Sequence, residues 1–282
     1  ILAHTSTLPT KTRQIIFQNF VVVAIAEFGS FTFMATNTST VTLFLRRKYK
    51  KIDDLKKSCH QSINNAKDVI INGIQKSLSK YVNHVWENVS LEDYISLLKK
   101  KPNEKILAHD IYKEYKKNIK SKNEDEFWSL LLQREEEKLF YFVLTAPQKV
   151  VVVKSGSKTK EKQFLGYEFR NGKGSEGIHP VNGRSTIDDC TKMYNINNNN
   201  DAKKASTYIN NAFKGKYFSE IDETLKENVF YTKLEEMLNF SRFEFDLNVS
   251  LKKKKKIKIE TRWQEKRFDE VADIIRGVTY SK

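Results

Sequence analysis

Three glycines, Gly172, Gly174 and Gly177, have the G-x-G-x-x-G spacing of a dinucleotide-phosphate site. That chemistry needs the glycines between a strand and a helix N-terminus, where backbone amides and the helix dipole meet the phosphate. Residues 178–180 read Ile-His-Pro, and no helical pattern of apolar residues follows this proline. The glycines therefore predict a β-turn, and we assign no cofactor-binding residue.

The histidines and cysteines form no pattern typical of a metal site or a nucleophile. No two of the five histidines combine metal-ligand spacing with a carboxylate on the same helix face. Cys59 and Cys190 lie far apart and belong to no CxxC pair, which is typical of a reducing compartment. The sequence also has no Gly-x-Ser-x-Gly nucleophile elbow. We therefore assign no catalytic and no metal-binding residue, and we expect a cytoplasmic protein.

Aromatic and small polar side chains are concentrated between residues 30 and 40. Phe31 and Phe33 are suited to stacking on an extruded base, while the Asn37 amide and the Thr38 hydroxyl are suited to phosphate contacts. The same aromatic side chains are also compatible with folding back onto the core. The residues alone leave both interpretations open.

Basic residues exceed acidic ones by a wide margin. The 282-residue chain has 50 lysines and arginines against 35 aspartates and glutamates, a formal net charge of +15. Such an excess favours a polyanionic partner, nucleic acid first of all, and the alternative is a merely basic protein. An unbroken run of five lysines at 252–256 adds a local positive field that neutralises phosphates without reading sequence. The alternative for this run is a solvated linker between domains.

Two apolar runs flank the segment 30–40 and must position it. Residues 21–26 are continuously apolar and rich in β-branched side chains, which predicts a strand buried on both faces. Residues 41–45 predict a second strand, and the length of the connection favours an antiparallel pair. No apolar stretch is long enough to cross a bilayer, so we expect no membrane partner.

Helical periodicity dominates residues 52–138. Apolar side chains at positions 66, 70, 74, 78, 81 and 85 fall on one helix face. Ser90 and Asp93 match a capping box, Pro102 ends that helix, and Asn103 is suited to start the next. Further along the chain we predict a helix over 125–139, strands over 150–153 and 164–169, and helices over 202–213 and 221–240.

Several stretches resemble one family of enzymes. Residues 23–30 (VAIAEFGS) followed by 38–46 (TSTVTLFLR) resemble the last strand pair of the N6-adenine methylase domain of type I-like restriction systems. The segments KLFYFVL at 138–144, PQKVVVVKSG at 147–156, FLGYEFRN at 164–171 and GSEGIH at 174–179 resemble the region after that domain. Residues 273–282 (DIIRGVTYSK) resemble the first residues of a target-recognition domain of a specificity module. The resemblance covers most of the chain.

The resemblance implies a DNA adenine-N6 methyltransferase with methylase and specificity parts on one polypeptide, as in type IIG enzymes. In that family S-adenosylmethionine is the methyl donor, and an Asn-Pro-Pro-Tyr or Asn-Pro-Pro-Phe motif positions the flipped adenine. The four prolines of this chain are isolated, and His4 stands where relatives commonly have proline. Because the family places its donor-binding and catalytic motifs before the residues aligned with Ile1, we expect an internal fragment. S-adenosylmethionine is then a cofactor of the full-length family protein and is not expected to bind this chain alone.

The predicted fold class is mixed α/β, beginning with the C-terminal strands of a Rossmann-like methylase sheet. We expect five segments. They are 1–50, the end of the methylase domain; 51–143, a helical region; 144–218, a small α+β segment; 219–258, a helical spacer and Lys-rich linker; and 259–282, the start of a β-rich target-recognition domain.

The predicted function is part of a site-specific DNA adenine-N6 methyltransferase of a restriction–modification system, inactive alone. The partners are DNA and specificity or restriction subunits of the same system. The alternative is a non-enzymatic basic adaptor that binds DNA or RNA. The predicted DNA contacts are Phe31, Phe33, Asn37, Thr38, Lys252, Lys253, Lys254, Lys255, Lys256, Arg276, Tyr280 and Lys282.

Overall fold

The computed structural model describes residues 7–30, 32, 38–48, 52–183, 186–245 and 249–251. The chain divides into two units, residues 1–252 and 253–282, and every described residue belongs to the first unit. The expected start of a recognition domain at 259–282 therefore lies outside the described residues. The described part has a mixed α/β fold, with helices packed on a four-stranded mixed sheet.

The main sheet has the strand order β2-β1-β3-β6, and a separate hairpin is formed by β4 and β5. The strands are β1 (Phe20–Phe28), β2 (Thr40–Arg47), β3 (Lys149–Lys154), β4 (Tyr167–Arg170), β5 (Gly177–Pro180) and β6 (Val229–Lys233). β1 pairs antiparallel with β2 and parallel with β3, and β3 pairs antiparallel with β6. The predicted antiparallel pair around segment 30–40 is confirmed.

Both faces of β1 are buried, as its continuous apolar run predicts. Val22 and Ile25 belong to the core on one face of the sheet, whereas Val23 and Ala24 belong to the core on the other. Two consecutive residues share a face because the register with β2 shifts between Val22 and Ala24, which is the signature of a β-bulge. The bulge lets one strand supply apolar side chains to helices on both sides.

Ten α-helices are assigned within the described residues. They are α1 (Thr7–Asn19), α2 (Ile52–Asn64), α3 (Ser77–Val85), α4 (Leu91–Leu98), α5 (Glu104–Ala108), α6 (Asp110–Asn118), α7 (Glu124–Thr145), α8 (Thr159–Leu165), α9 (Ile187–Cys190) and α10 (Ala205–Phe213). The capping box of Ser90 with Asp93 is confirmed, and the Asn103 side chain accepts a hydrogen bond from the Ile106 amide. None of the described helices is both long and apolar enough to span a membrane.

The predicted helical face over positions 66–85 is wrong for its first half. A helix exists only from Ser77, and Ala66, Asn72 and Lys76 have positive φ angles, which no α-helix tolerates. The Asp68 carboxylate instead accepts hydrogen bonds from the amide of Leu78 and the side chain and amide of Ser79. The hydrogen bonds of the Asp68 side chain to the backbone of Leu78 and Ser79 thus take the place of a continuous helix in this segment.

Two further secondary-structure predictions are corrected. The predicted strand over 164–169 begins as the end of α8, and only after Gly166, with φ +84°, does β4 start. The predicted helix over 221–240 contains the 3₁₀ turns Glu223–Leu225 and Leu234–Met237 with strand β6 between them. Pairing of β6 with β3 overrides the helical spacing of its apolar residues. The described residues of the expected helical spacer, 219–245 and 249–251, therefore form no long helix.

A buried carboxylate organises the helices on one side of the sheet. Glu135 of α7 is fully buried, and its carboxylate accepts hydrogen bonds from Tyr81 Oη (2.8 Å), Trp86 Nε1 (3.2 Å), Tyr94 Oη (2.6 Å) and Tyr115 Oη. Burial, and then the charge of Glu135, raise the pKa of each of the three tyrosines, so all three remain protonated donors. One side chain thus connects α3, α4, α6 and α7.

Lys138 lies one turn after Glu135 and is also fully buried. Its Nζ has no hydrogen-bond partner among the described residues and lies 4.6 Å from the centroid of the Tyr115 ring. Burial lowers the pKa of Lys138 to about 8, although the charge of Glu135 opposes this shift. The Lys138 ammonium group is therefore buried away from water, and its contact with the Tyr115 ring replaces only part of the lost hydration.

Candidate nucleic-acid interface

Most of the predicted DNA contacts lie outside the described residues. Thr38 is described, and it is exposed just before β2 begins. The remainder of the set cannot be located: Phe31, Phe33, Asn37, Lys252, Lys253, Lys254, Lys255, Lys256, Arg276, Tyr280 and Lys282. The geometry of the candidate site therefore rests on the residues that hold the ends of segment 30–40.

The segment leaves the sheet at the carboxyl edge, where the parallel strands β1 and β3 both end. The Ser155 amide donates to the carbonyl oxygen of Glu27 (3.0 Å), and the Gly29 amide donates to Ser155 Oγ (3.1 Å). These bonds hold the two strand exits together. In α/β folds, ligands bind outside the carboxyl ends of parallel strands, so this edge is the first place to look for a site.

Thr32 anchors the segment to the body of the protein. Its Oγ1 donates to Glu161 Oε1 (2.9 Å), and its carbonyl oxygen accepts from Tyr167 Oη (2.9 Å). Burial and the neighbouring Glu161 raise the pKa of Tyr167, so its hydroxyl remains a donor at neutral pH. Thr32 is therefore fixed to α8 and to β4 beside the carboxyl edge.

Glu161 was not singled out by the sequence, although it is central to this anchor. It lies in α8 and is fully buried, and no local pattern connects it to Thr32, which is 129 positions away. Gly29 is the feature of the sequence that could have indicated a close approach by another side chain at this point. A Cβ atom at position 29 would lie 2.3 Å from Glu161 Oε2, so only glycine permits the carboxylate to approach this closely.

Replacing Gly29 with alanine should therefore displace the Glu161 carboxylate and weaken the Thr32 anchor. We expect the free energy of unfolding, measured by urea titration, to fall by roughly 1–2 kcal/mol, as for other overpacked sites. Gly172→Ala is the matched control, because a Cβ there meets only the exposed Ser175 hydroxyl at 3.0 Å. In a protein that already carries Glu161→Ala, Gly29→Ala should no longer lower the free energy of unfolding. If Gly29→Ala lowers it there by the same amount, the contact with Glu161 is not the cause of the loss.

The charges at this edge are largely compensated. Lys154 Nζ lies 2.9 Å from Glu27 Oε2, which pairs the last residue of β3 with the penultimate residue of β1. Both side chains are partly exposed, so solvent and salt screen the pair and its contribution to stability is small.

The glycine motif is a β-turn, as predicted. Residues 171–176 connect β4 to β5, whose strands pair antiparallel, and no helix N-terminus follows Gly177. Within the described ranges, no group of three or more His, Cys, Asp or Glu side chains is arranged to hold a metal ion.

Comparison with known proteins gives no relative. No family model matches the sequence, and no curated protein and no solved structure is significantly similar to the chain. The functional argument therefore depends on the contacts and charges of the chain itself.

Proposed function

We propose that this chain is part of a site-specific DNA adenine-N6 methyltransferase of a restriction–modification system. In this proposal it contributes the end of a Rossmann-like methylase sheet and the connection towards a target-recognition domain. S-adenosylmethionine is the methyl donor of the complete enzyme, and specificity or restriction subunits are its partners. The chain alone does not transfer methyl groups, because the family's donor-binding and catalytic motifs are not among its residues.

The observation that carries this proposal is the anchored segment at the carboxyl edge of the sheet. β1 is parallel to β3, β2 returns antiparallel, and Thr32 between them is held by Glu161 and Tyr167. An anchor of this kind fixes Thr32, the sequence neighbour of Phe31 and Phe33, at the edge where an α/β enzyme binds its substrate. Aromatic side chains are suited to stacking on a base taken out of the DNA helix, and we propose this role for Phe31 and Phe33.

The free edge of β2 is a second line of support. β2 has β1 on one side, and within the described residues no strand pairs with its other side. Val41 on this strand is 41% exposed. Unpaired edges with apolar side chains are sites of further strand pairing. We therefore propose that strands of the methylase sheet preceding this sequence pair with β2.

The proposal predicts that the chain binds DNA through segment 30–40. We expect a fluorescently labelled mixed-sequence duplex to bind, with log K falling linearly against log salt concentration. Replacing both Phe31 and Phe33 with alanine should weaken binding by about fivefold or more, because each base–aromatic stack contributes on the order of 1–3 kcal/mol. Fluorescence anisotropy at several salt concentrations measures both effects.

Phe169→Ala is the matched control for this experiment. Phe169 is 38% exposed on the β4–β5 hairpin, so its loss removes an exposed aromatic side chain that does not belong to segment 30–40. Absence of duplex binding at low salt, or equal weakening by Phe169→Ala, would contradict the proposal. Radioactive transfer from labelled S-adenosylmethionine to DNA by the chain alone would contradict its expected inactivity.

The adaptor alternative predicts a different pattern with the same assay. A basic adaptor would lose DNA or RNA binding when residues 252–256 are changed to glutamine, and it would be insensitive to Phe31 and Phe33. The +15 net charge is the observation that favours this alternative. Comparing the two variants separates the functions.

A further inference from the structure

A cleft of about 330 Å³ opens at the opposite, amino edge of the sheet, where β1 and β3 begin. Val21 and Val23 of β1, with Leu55 of α2, form part of its apolar floor. Arg46 of β2 and Lys149 of β3 border it. Its volume is in the range of small-ligand sites, and its combination of apolar floor and few polar groups is typical of them.

Three cations converge on this cleft: Arg46, Lys48 and Lys149. No aspartate or glutamate occurs among its described lining residues, and Asp53 and Asp54 at the start of α2 do not line it. Like charges around a concave apolar wall raise the local concentration of anions. The amino edge therefore differs from the carboxyl edge, where Lys154 is paired with Glu27.

Arg46 and Lys149 are held in place by neutral groups. Arg46 Nη1 donates to the carbonyl oxygen of Phe213 (3.0 Å). Lys149 Nζ lies 4.6 Å from the centroid of the Tyr217 ring and 4.5 Å from that of Tyr231. Carbonyl oxygens and ring faces orient a cation but leave its charge available to a ligand. Lys48 Nζ donates to the carbonyl oxygen of Phe17 (2.7 Å).

Tyr217 and Gln148 give the cleft rigid walls. Tyr217 Oη donates to the carbonyl oxygen of Lys149 (2.9 Å), and burial raises the pKa of Tyr217 while the charge of Arg46 opposes that rise. The Gln148 side chain accepts from the Val22 amide (2.9 Å) and donates to the Leu144 carbonyl oxygen (2.6 Å). Because the Gln148 amide is already satisfied, recognition in the cleft depends on the cations.

We propose that this cleft binds a phosphate ester. Arg46 and Lys149 suit phosphate oxygens, since a guanidinium group binds them with two parallel hydrogen bonds and an ammonium group adds point charge. The apolar floor and the Tyr217 ring accommodate the organic part of the ester. A free nucleotide and the backbone of a nucleic acid both supply this chemistry.

This inference does not depend on the proposed methyltransferase function. Its residues lie at the amino edge, whereas Phe31 and Phe33 follow the carboxyl end of β1. Variants of the two edges therefore test the two proposals separately.

The test compares two double variants with the same change of net charge. Arg46→Gln with Lys149→Gln removes two cations of the cleft. The control, Arg47→Gln with Lys154→Gln, also removes two cations. Arg47 follows Arg46 in β2, and Lys154 is the last residue of β3, and neither side chain lines the cleft. Calorimetric titrations of the full chain with inorganic phosphate, AMP, adenosine and a short duplex give the affinities.

We expect AMP to bind and adenosine to bind far more weakly. The cleft variant should lose about tenfold or more in AMP affinity, and the control variant should stay within about twofold. Duplex binding without AMP binding, with the same dependence on Arg46 and Lys149, would identify the nucleic-acid backbone as the source of the phosphate. Equal loss in both double variants, equal binding of AMP and adenosine, or no binding of any phosphate probe would overturn the proposal.

Discussion

Replacing Glu135 with alanine is expected to lower the free energy of unfolding by about 3–5 kcal/mol, because each buried donor left without an acceptor costs about 1–3 kcal/mol. Four donors would lose their acceptor, because Tyr81, Trp86, Tyr94 and Tyr115 all donate to this carboxylate. Domains are stable by only about 5–15 kcal/mol, so the helical side of the protein would lose much of its stability. Urea unfolding followed by circular dichroism measures the change.

Glu136→Ala is the matched control, since it removes the same side chain one position along α7. Glu136 is partly exposed and pairs with His60 at 2.7 Å, so its loss should cost about 1 kcal/mol or less. Glu135→Gln keeps the shape of the side chain and one acceptor oxygen, and we expect an intermediate loss. This second variant gives a measurable value even if Glu135→Ala does not fold. A loss below about 1 kcal/mol for both Glu135 variants would show that the network is not needed.

Replacing Lys138 with methionine should stabilise the protein at pH 7, by up to about 3 kcal/mol at 1.36 kcal/mol for each pKa unit. Burial lowers the pKa of Lys138 from 10.5 to about 8, so below pH 8 the folded state carries a buried charge to which no described residue accepts a hydrogen bond. Methionine fills the same space without that charge, and such replacements are often stabilising.

The stabilisation by methionine at position 138 should shrink as the pH rises from about 8 to 10.5. In this window the folded protein has released the Lys138 proton while the unfolded chain still holds it, so the stability of the unmodified protein rises with pH. Comparing variant and parent at each pH removes the contributions of other groups. Lys117→Met, at an exposed position of α6, should show no such trend. A gain that is independent of pH would contradict the assignment to a buried charge.

Local patterns in the sequence were sufficient for much of the fold. The apolar run at 21–26 predicted a strand buried on both faces, and the Ser90–Asp93 pattern predicted a capped helix, because each depends on residues within a few positions. The error over 66–76 has a local cause too. The apolar residues have helical spacing, but Asn72 and Gly73 form a turn within it, with φ angles of +53° and +80°.

The anchors of the candidate site could not be predicted, since they join distant parts of the chain. The Glu135 partners lie 20 to 54 positions away, and in the sequence Glu135 is one of three consecutive glutamates typical of a solvated helix face. Glu161 likewise reaches Thr32 across 129 positions. The basic cleft was missed because Arg46, Lys48 and Lys149 become neighbours only when β2, β1 and β3 align.

The parallel pairing of β1 with β3 has a consequence for biosynthesis. Val22 and Gln148 are bonded across 126 positions, and helices α2 to α7 lie between them. During translation β1 and β2 emerge well before β3, which is the parallel neighbour of β1. The apolar edge of β1 therefore stays unpaired on the ribosome until the whole helical region and β3 have emerged. We expect nascent chains to depend most on chaperones, and to aggregate most readily, when synthesis is stalled after β2 and before β3 has emerged.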